Sequence, residues 1–214
     1  KIKVFIYPDG GLTRLGLYAD LPMEEKSNYL PEKLSKSVKF SDEIQKTLKP
    51  LAAPYTPDVI EIENNWRALK PGDEYDVANL AFGGKILSAS NEHYGPAVQT
   101  ISPFGPMHMF DGFESARSRE VGHQEEIVIQ LAKMTPVHRI EMDFSYFVNN
   151  NPFEVSVLGL SKGSWIKIVE KINVKAFAGN IKTFSVSNNS PFEQMKIIVH
   201  PDGGINRVRV FAKA

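Results

Sequence analysis

The chain has 214 residues, 42% of them hydrophobic, with 25 basic and 25 acidic side chains and no cysteine. This length holds one domain plus extensions, and the even charge balance argues against nucleic acid or an anionic membrane as main partner, since both select a basic face. Without cysteine there is neither a disulfide framework nor a thiolate metal site, which fits a cytoplasmic protein, and no apolar run approaches the length of a membrane span.

The first element is Lys3-Val4-Phe5-Ile6-Tyr7 followed by Pro8-Asp9-Gly10-Gly11 and a second apolar run with Arg14 three residues past the turn. Proline pre-sets φ, Asp bonds its own backbone and Gly supplies positive φ, so two β runs around such a turn predict a hairpin. Residues 20–70 change texture. Ser41 is a candidate helix N-cap, acids follow it and Pro50 stops the pattern, which predicts a short helix over 41–50 in a connecting segment.

From Tyr75 onward the pattern is one of strands, over 84–90, 126–131, 137–144, 153–160, 165–170 and 182–186, with a break at Thr135-Pro136. Their period-two alternation buries one face and wets the other, as in antiparallel sheets. Short strands separated by turn signals, with little helix, predict an all-β jelly-roll sandwich with a partly helical linker. Trp165 and the Phe residues are read as core. The last element, Lys196-Ile197-Ile198-Val199-His200-Pro201-Asp202-Gly203-Gly204-Ile205-Asn206-Arg207, repeats the first nearly word for word and predicts a second hairpin. A duplicated segment marks a duplicated unit. The expected organisation is therefore 1–19 as the closing hairpin of a truncated first repeat, 20–70 as a linker, and 71–214 as a complete repeat. Arg14 and Arg207 stand at matching places and are read as holding each repeat together.

Chemistry is expected in the long connection over residues 90–125, which gathers three of the five histidines, His93, His108 and His123, with several acids and with Arg117 and Arg119. Convergent His and carboxylates suit general acid–base work or a divalent cation. Paired arginines suit a carboxylate, because the guanidinium fork meets both oxygens. The same residues also fit a plain solvated turn. His138 and His200 lie in strand patterns and are read as structural. No His-x-His spacing is present, so the metal ligands stay unassigned and a divalent metal stays open.

Several words in order resemble the allantoicase family: Trp66-Arg67-Ala68-Leu69, Gly83-Gly84-Lys85 through Ser90-Asn91-Glu92-His93-Tyr94-Gly95-Pro96, Asp111-Gly112-Phe113-Glu114-Ser115, Arg117-Ser118-Arg119, Gly122-His123, Asp143 with Phe147, and the doubled Pro-Asp-Gly-Gly. The resemblance implies tandem jelly-roll repeats of galactose-binding-like topology. It also implies hydrolysis of allantoate to ureidoglycolate and urea in purine degradation, in a homo-oligomer with a missing N-terminal repeat as partner. It points to Glu92, His93, Asp111, Glu114 and His123 as catalytic candidates, and to Asn91, Arg117 and Arg119 as substrate contacts. The chain departs from the family pattern at charged positions. Asn91 stands for an Asp, Ala116 for a basic residue, and Gln124-Glu125 for Asp-Trp. The competing expectation is a non-catalytic ligand-binding or interaction sandwich derived from the same family.

Overall fold

The computed structural model describes residues 71–103, 105–106, 108–174 and 181–214, together with 3–5, 15, 37–39 and 59–61. The turn at residues 8–11, Arg14, the helix expected over 41–50, the words at 66–69 and Met107 lie outside the described residues. Two short strands, β1 (Ser37–Lys39) and β2 (Val59–Glu61), pair antiparallel.

The remaining strands are β3 (Glu74–Asp76), β4 (Lys85–Ala89), β5 (Phe113–Glu114), β6 (Glu125–Pro136), β7 (Arg139–Asp143), β8 (Glu154–Ser161), β9 (Ser164–Asn173), β10 (Ile181–Ser185), β11 (Pro191–His200), β12 (Gly204–Ile205) and β13 (Arg207–Lys213). One sheet has the order β10-β7-β13-β3, a second β4-β6-β11-β8-β9, and β12 pairs with β5. Every neighbouring pair is antiparallel. The expected all-β, galactose-binding-like jelly-roll sandwich is what forms. Its core follows from the alternation. Ile127, Ile129 and Leu131 of β6, Val155 and Val157 of β8, and Met195, Ile197 and Val199 of β11 join Ile140 and Met142 of β7 and Val208, Val210 and Ala212 of β13 in one buried cluster. The break expected at Thr135-Pro136 falls just beyond it, because Pro136 ends β6 opposite Pro191, where the ladder finishes and a proline costs it little.

Three expectations need correction. The segment around Pro201–Asp202–Gly203–Gly204 is not a hairpin. β11 belongs to the five-stranded sheet and β13 to the four-stranded one, so the turn carries the chain across the sandwich. Turn chemistry specifies a change of direction; which strands then pair depends on burial. β13 is buried on both faces, between β7 and β3, whereas β11 alternates. Trp165 is not core: it stands 39% exposed on β9, where Lys196 lies over its ring. Among the phenylalanines, Phe82, Phe113, Phe144, Phe147 and Phe192 are buried, but Phe110 and Phe153 face solvent.

The double burial of β13 positions the loop. Its alternate residues Arg207 and Arg209 point away from the core side taken by Val208 and Val210. Two 3-10 turns, Ala97–Ile101 and Met109–Asp111, with β3 and the loop at Gly105, supply their partners. Arg209 reaches the Thr100 carbonyl at 3.3 Å and Asp76 at 3.6 Å. Arg207 reaches Asp111 at 2.8 Å and the Gly105 carbonyl at 3.1 Å. The connection expected to carry chemistry is thus clamped onto the sandwich by two buried arginines.

Candidate functional site

The geometry converges on Glu114. Phe113 and Glu114 form β5, and alternation sends Phe113 into the core while Glu114 is left half-buried on the other side. The Glu114 backbone is held on both edges. Tyr94 and Gly95 donate their N–H groups to its carbonyl at 3.0 and 3.3 Å, its own N–H donates to the Gly95 carbonyl at 3.2 Å, and Gly204 of β12 lies opposite. Both flanking residues must be glycine. A Cβ at Gly95 would fall on the Gly112 carbonyl oxygen, and one at Gly204 on the Phe147 ring. Ser115 seals the arrangement: its N–H donates to the Gly203 carbonyl at 3.3 Å and its Oγ accepts from the Gly203 N–H at 3.1 Å.

The Glu114 carboxyl meets two side chains. Asn150 donates Nδ2–H to Oε1, and Asn150 is itself fixed by the Gly204 N–H, which donates to its carbonyl at 2.9 Å. Arg117 supplies a nearby positive charge. Burial pushes the carboxyl above the usual Glu range; the Asn150 hydrogen bond and the Arg117 charge pull the other way but do not cancel it. Arg117 is tethered from behind. It donates to the Asn149 carbonyl, and its Nε lies 3.9 Å from Asp202 Oδ1, while Asp202 Oδ2 accepts the Ser118 N–H at 2.8 Å. The Arg117 side chain stays 64% exposed, so its charge is open to a solute. A carboxyl of raised proton affinity next to an open guanidinium sets a candidate proton donor beside a cation.

The other sequence candidates go elsewhere. Asp111 is buried against Arg207. Glu92 Oε1 accepts the Ala97 N–H at 2.7 Å and so caps the 97–101 turn. Asn91 Oδ1 accepts from His93 N–H at 3.1 Å and Ala116 N–H at 3.3 Å, tying the two halves of the loop together. The His93 ring packs edge-on against exposed Tyr94. His123 pairs through Nε2 with buried Glu125 at 2.8 Å, and Glu125 also takes the Ser90 hydroxyl. Arg119 is exposed. The structure therefore joins Glu114 with Arg117 and places His123 in a separate cluster. No group of three or more His, Asp or Glu among the described residues is arranged to hold a metal ion.

Sequence reasoning missed Asn150, Asp202 and Ser115 as neighbours of the site. The duplicated turn was the available signal, but it pointed to repeat architecture rather than to a site. It also missed a stacked aromatic set beside Asp111, with His108 4.9 Å from the Phe110 ring and 6.1 Å from the Tyr146 ring. Burial and the negative charges of Asp143 and Asp111 push the Tyr146 hydroxyl up.

Comparison with known proteins agrees with this architecture. The model of a family described as the allantoicase repeat matches residues 75–214. Allantoicase of Neurospora crassa is 27% identical over 99% of this chain and 51% of its own length, and that of Dictyostelium discoideum 25% identical over 98% and 48%. A crystal structure of allantoicase from Saccharomyces cerevisiae superposes with a TM-score of 0.62 at 28% identity, covering 67% of this chain and 45% of that one. The chain spans about half the length of the curated relatives it matches. A carbohydrate-binding module of Clostridium perfringens, solved with galactose, shares the fold at a TM-score of 0.52 and 15% identity, covering 65% of this chain and all of its own.

Proposed function

The chain belongs to the allantoicase family, and from that premise we propose that its Glu114–Arg117 site binds allantoate and hydrolyses it to ureidoglycolate and urea. One observation carries the reading: a half-buried carboxyl with a raised proton affinity beside an exposed, tethered guanidinium.

Allantoate carries a carboxylate and two ureido groups on one carbon. Arg117 takes the carboxylate through its planar fork. Glu114, protonated, donates to the nitrogen of one ureido group. The carbon–nitrogen bond breaks with its electron pair going to that nitrogen, and urea departs. A water oxygen bonds to the carbon, and its spare proton returns to the Glu114 carboxylate. The product keeps the carboxylate, one ureido group and the new hydroxyl, so atoms and charge balance. A residue in this role contributes about 10²–10⁴-fold to the rate.

A second reading has its own support. His123 is engaged by Glu125 rather than by this cluster, so that ring is not paired with the Glu114 carboxyl, which bonds Asn150 instead. An acid and a cation suffice to bind a ureido-bearing carboxylate without turning it over. Purified protein incubated with allantoate and assayed for urea decides between the two. Urea release that falls at least 100-fold in Glu114→Gln supports hydrolysis. Calorimetric binding of allantoate with no urea supports the binding module, and neither signal overturns both.

A further inference from the structure

We infer that Asn150 is a positioning residue for Glu114: by donating Nδ2–H to Oε1 it reserves that oxygen as an acceptor and makes Oε2 the oxygen that carries and delivers the proton. The inference rests on the hydrolytic reading of the same site.

A carboxyl group has two oxygens, and a general acid that holds its proton on the wrong one is a poor donor. An N–H group pointed at one oxygen favours the carbonyl form there, because a carbonyl oxygen is the better acceptor and the hydroxyl form then sits on the other. Asn150 is placed to make that choice. Its side chain donates to Oε1, and its own backbone carbonyl is pinned by the Gly204 N–H at 2.9 Å. Gly204 also lies opposite Glu114 in the β5–β12 pair, so donor and acceptor are fixed by the same residue. Freedom at either end is small, since Gly203 packs against the Asn150 carbonyl and Gly204 against the Phe147 ring. The donor is an amide rather than a cation. Arg117 already supplies charge to the site, and a second positive group at this place would hold Glu114 ionised. An amide steers the proton while burial raises the carboxyl's affinity for it. After transfer, the same N–H stabilises the carboxylate, and Oε2 is free to take the proton of the incoming water.

The roles of tuning and of orientation separate in one experiment on the full chain. Removing the Asn150 hydrogen bond favours the protonated form of Glu114, so Asn150→Ala raises the carboxyl midpoint, read by 13C NMR of labelled glutamate. If Asn150 orients the proton, kcat on the acidic plateau nevertheless falls about 10- to 100-fold, with KM for allantoate little changed. If Asn150 only tunes protonation, the plateau is kept and the profile merely extends to higher pH; that result overturns the proposal. In the unmodified chain, the 15N-labelled Asn150 side-chain amide shifts with the Glu114 midpoint. This readout needs no variant, and an amide signal indifferent to that titration also overturns the proposal, even if Asn150→Ala does not fold. No urea from the unmodified chain overturns the hydrolytic reading and proton delivery with it. Urea release with an unchanged Asn150→Ala plateau overturns the role of Asn150 alone.

Discussion

Arg207 and Asp111 form an ion pair 2.8 Å apart in which the two side chains are 1% and 4% exposed. The guanidinium also bonds the carbonyls of Asp111 and Asn206. Breaking a buried pair leaves an uncompensated charge, at a cost of about 3–5 kcal/mol. Asp111→Ala and Arg207→Ala are each expected to lower stability by that amount in denaturant unfolding. Replacing both with Leu and Met costs less than either single change. Urea release per folded molecule reports whether Asp111 does more than hold the loop.

Arg117 lowers the proton affinity of Glu114, against a larger upward push from burial. Removing the charge therefore raises the Glu114 midpoint further. With Glu114 as the proposed acid, activity is expected to fall as pH rises through that midpoint. Arg117→Ala is expected to raise KM for allantoate at least tenfold and to move the basic limb of the kcat profile to higher pH. Steady-state rates across the profile check both. A limb that stays in place would separate the two side chains functionally.

The same shift has a stability counterpart. A carboxyl whose proton affinity is higher in the folded state contributes stability at low pH and loses it as pH rises through its folded midpoint. Glu114→Gln removes that dependence. The unfolding free energy of Glu114→Gln relative to the unmodified chain should therefore improve as pH rises across the Glu114 transition, by urea denaturation at several pH values.

Gly95 approaches the Gly112 carbonyl too closely for any side chain. Gly95→Ala must push the loop away from β5, with an overpacking cost of about 1–3 kcal/mol. Since Gly95 bonds the Glu114 backbone, the variant should also lose turnover after correction for folded fraction.

Trp165 offers the opposite case. A buried Trp→Ala change costs about 3–5 kcal/mol, whereas an exposed cation–π contact contributes about 0.5–1 kcal/mol. Trp165→Ala is expected near the lower figure, measured by thermal unfolding, because its ring lies under Lys196 on the outer face.

The sandwich was legible because period-two alternation is a local signal. The pattern of β8 alone shows which residues, Val155 and Val157 among them, turn inward. Sheet membership was not legible, since Pro201-Asp202-Gly203-Gly204 reads the same whether the next strand pairs back or crosses over. Trp165 was misread because an aromatic in an alternating run looks alike on either face. Within the site, Glu114 and Arg117 could be picked out by residue type in one loop. Asn150 and Asp202 lie in distant loops, and their residue types also suit ordinary turns, so only the folded geometry joins them to Glu114. Asp111 shows the converse: an acid in this loop suggests chemistry in sequence, and in three dimensions it is buried against Arg207.

The crossover turn has a kinetic corollary. Asn150 is 36 residues from Glu114, and Gly203 is 88 residues from Ser115. Contacts of such separation form only after long loops have closed, and they slow folding accordingly. The surroundings of Glu114 cannot be assembled by one ribbon or one half of the sandwich. Activity regained on refolding should therefore lag behind the β-structure that neighbouring pairs such as β8 and β9 form.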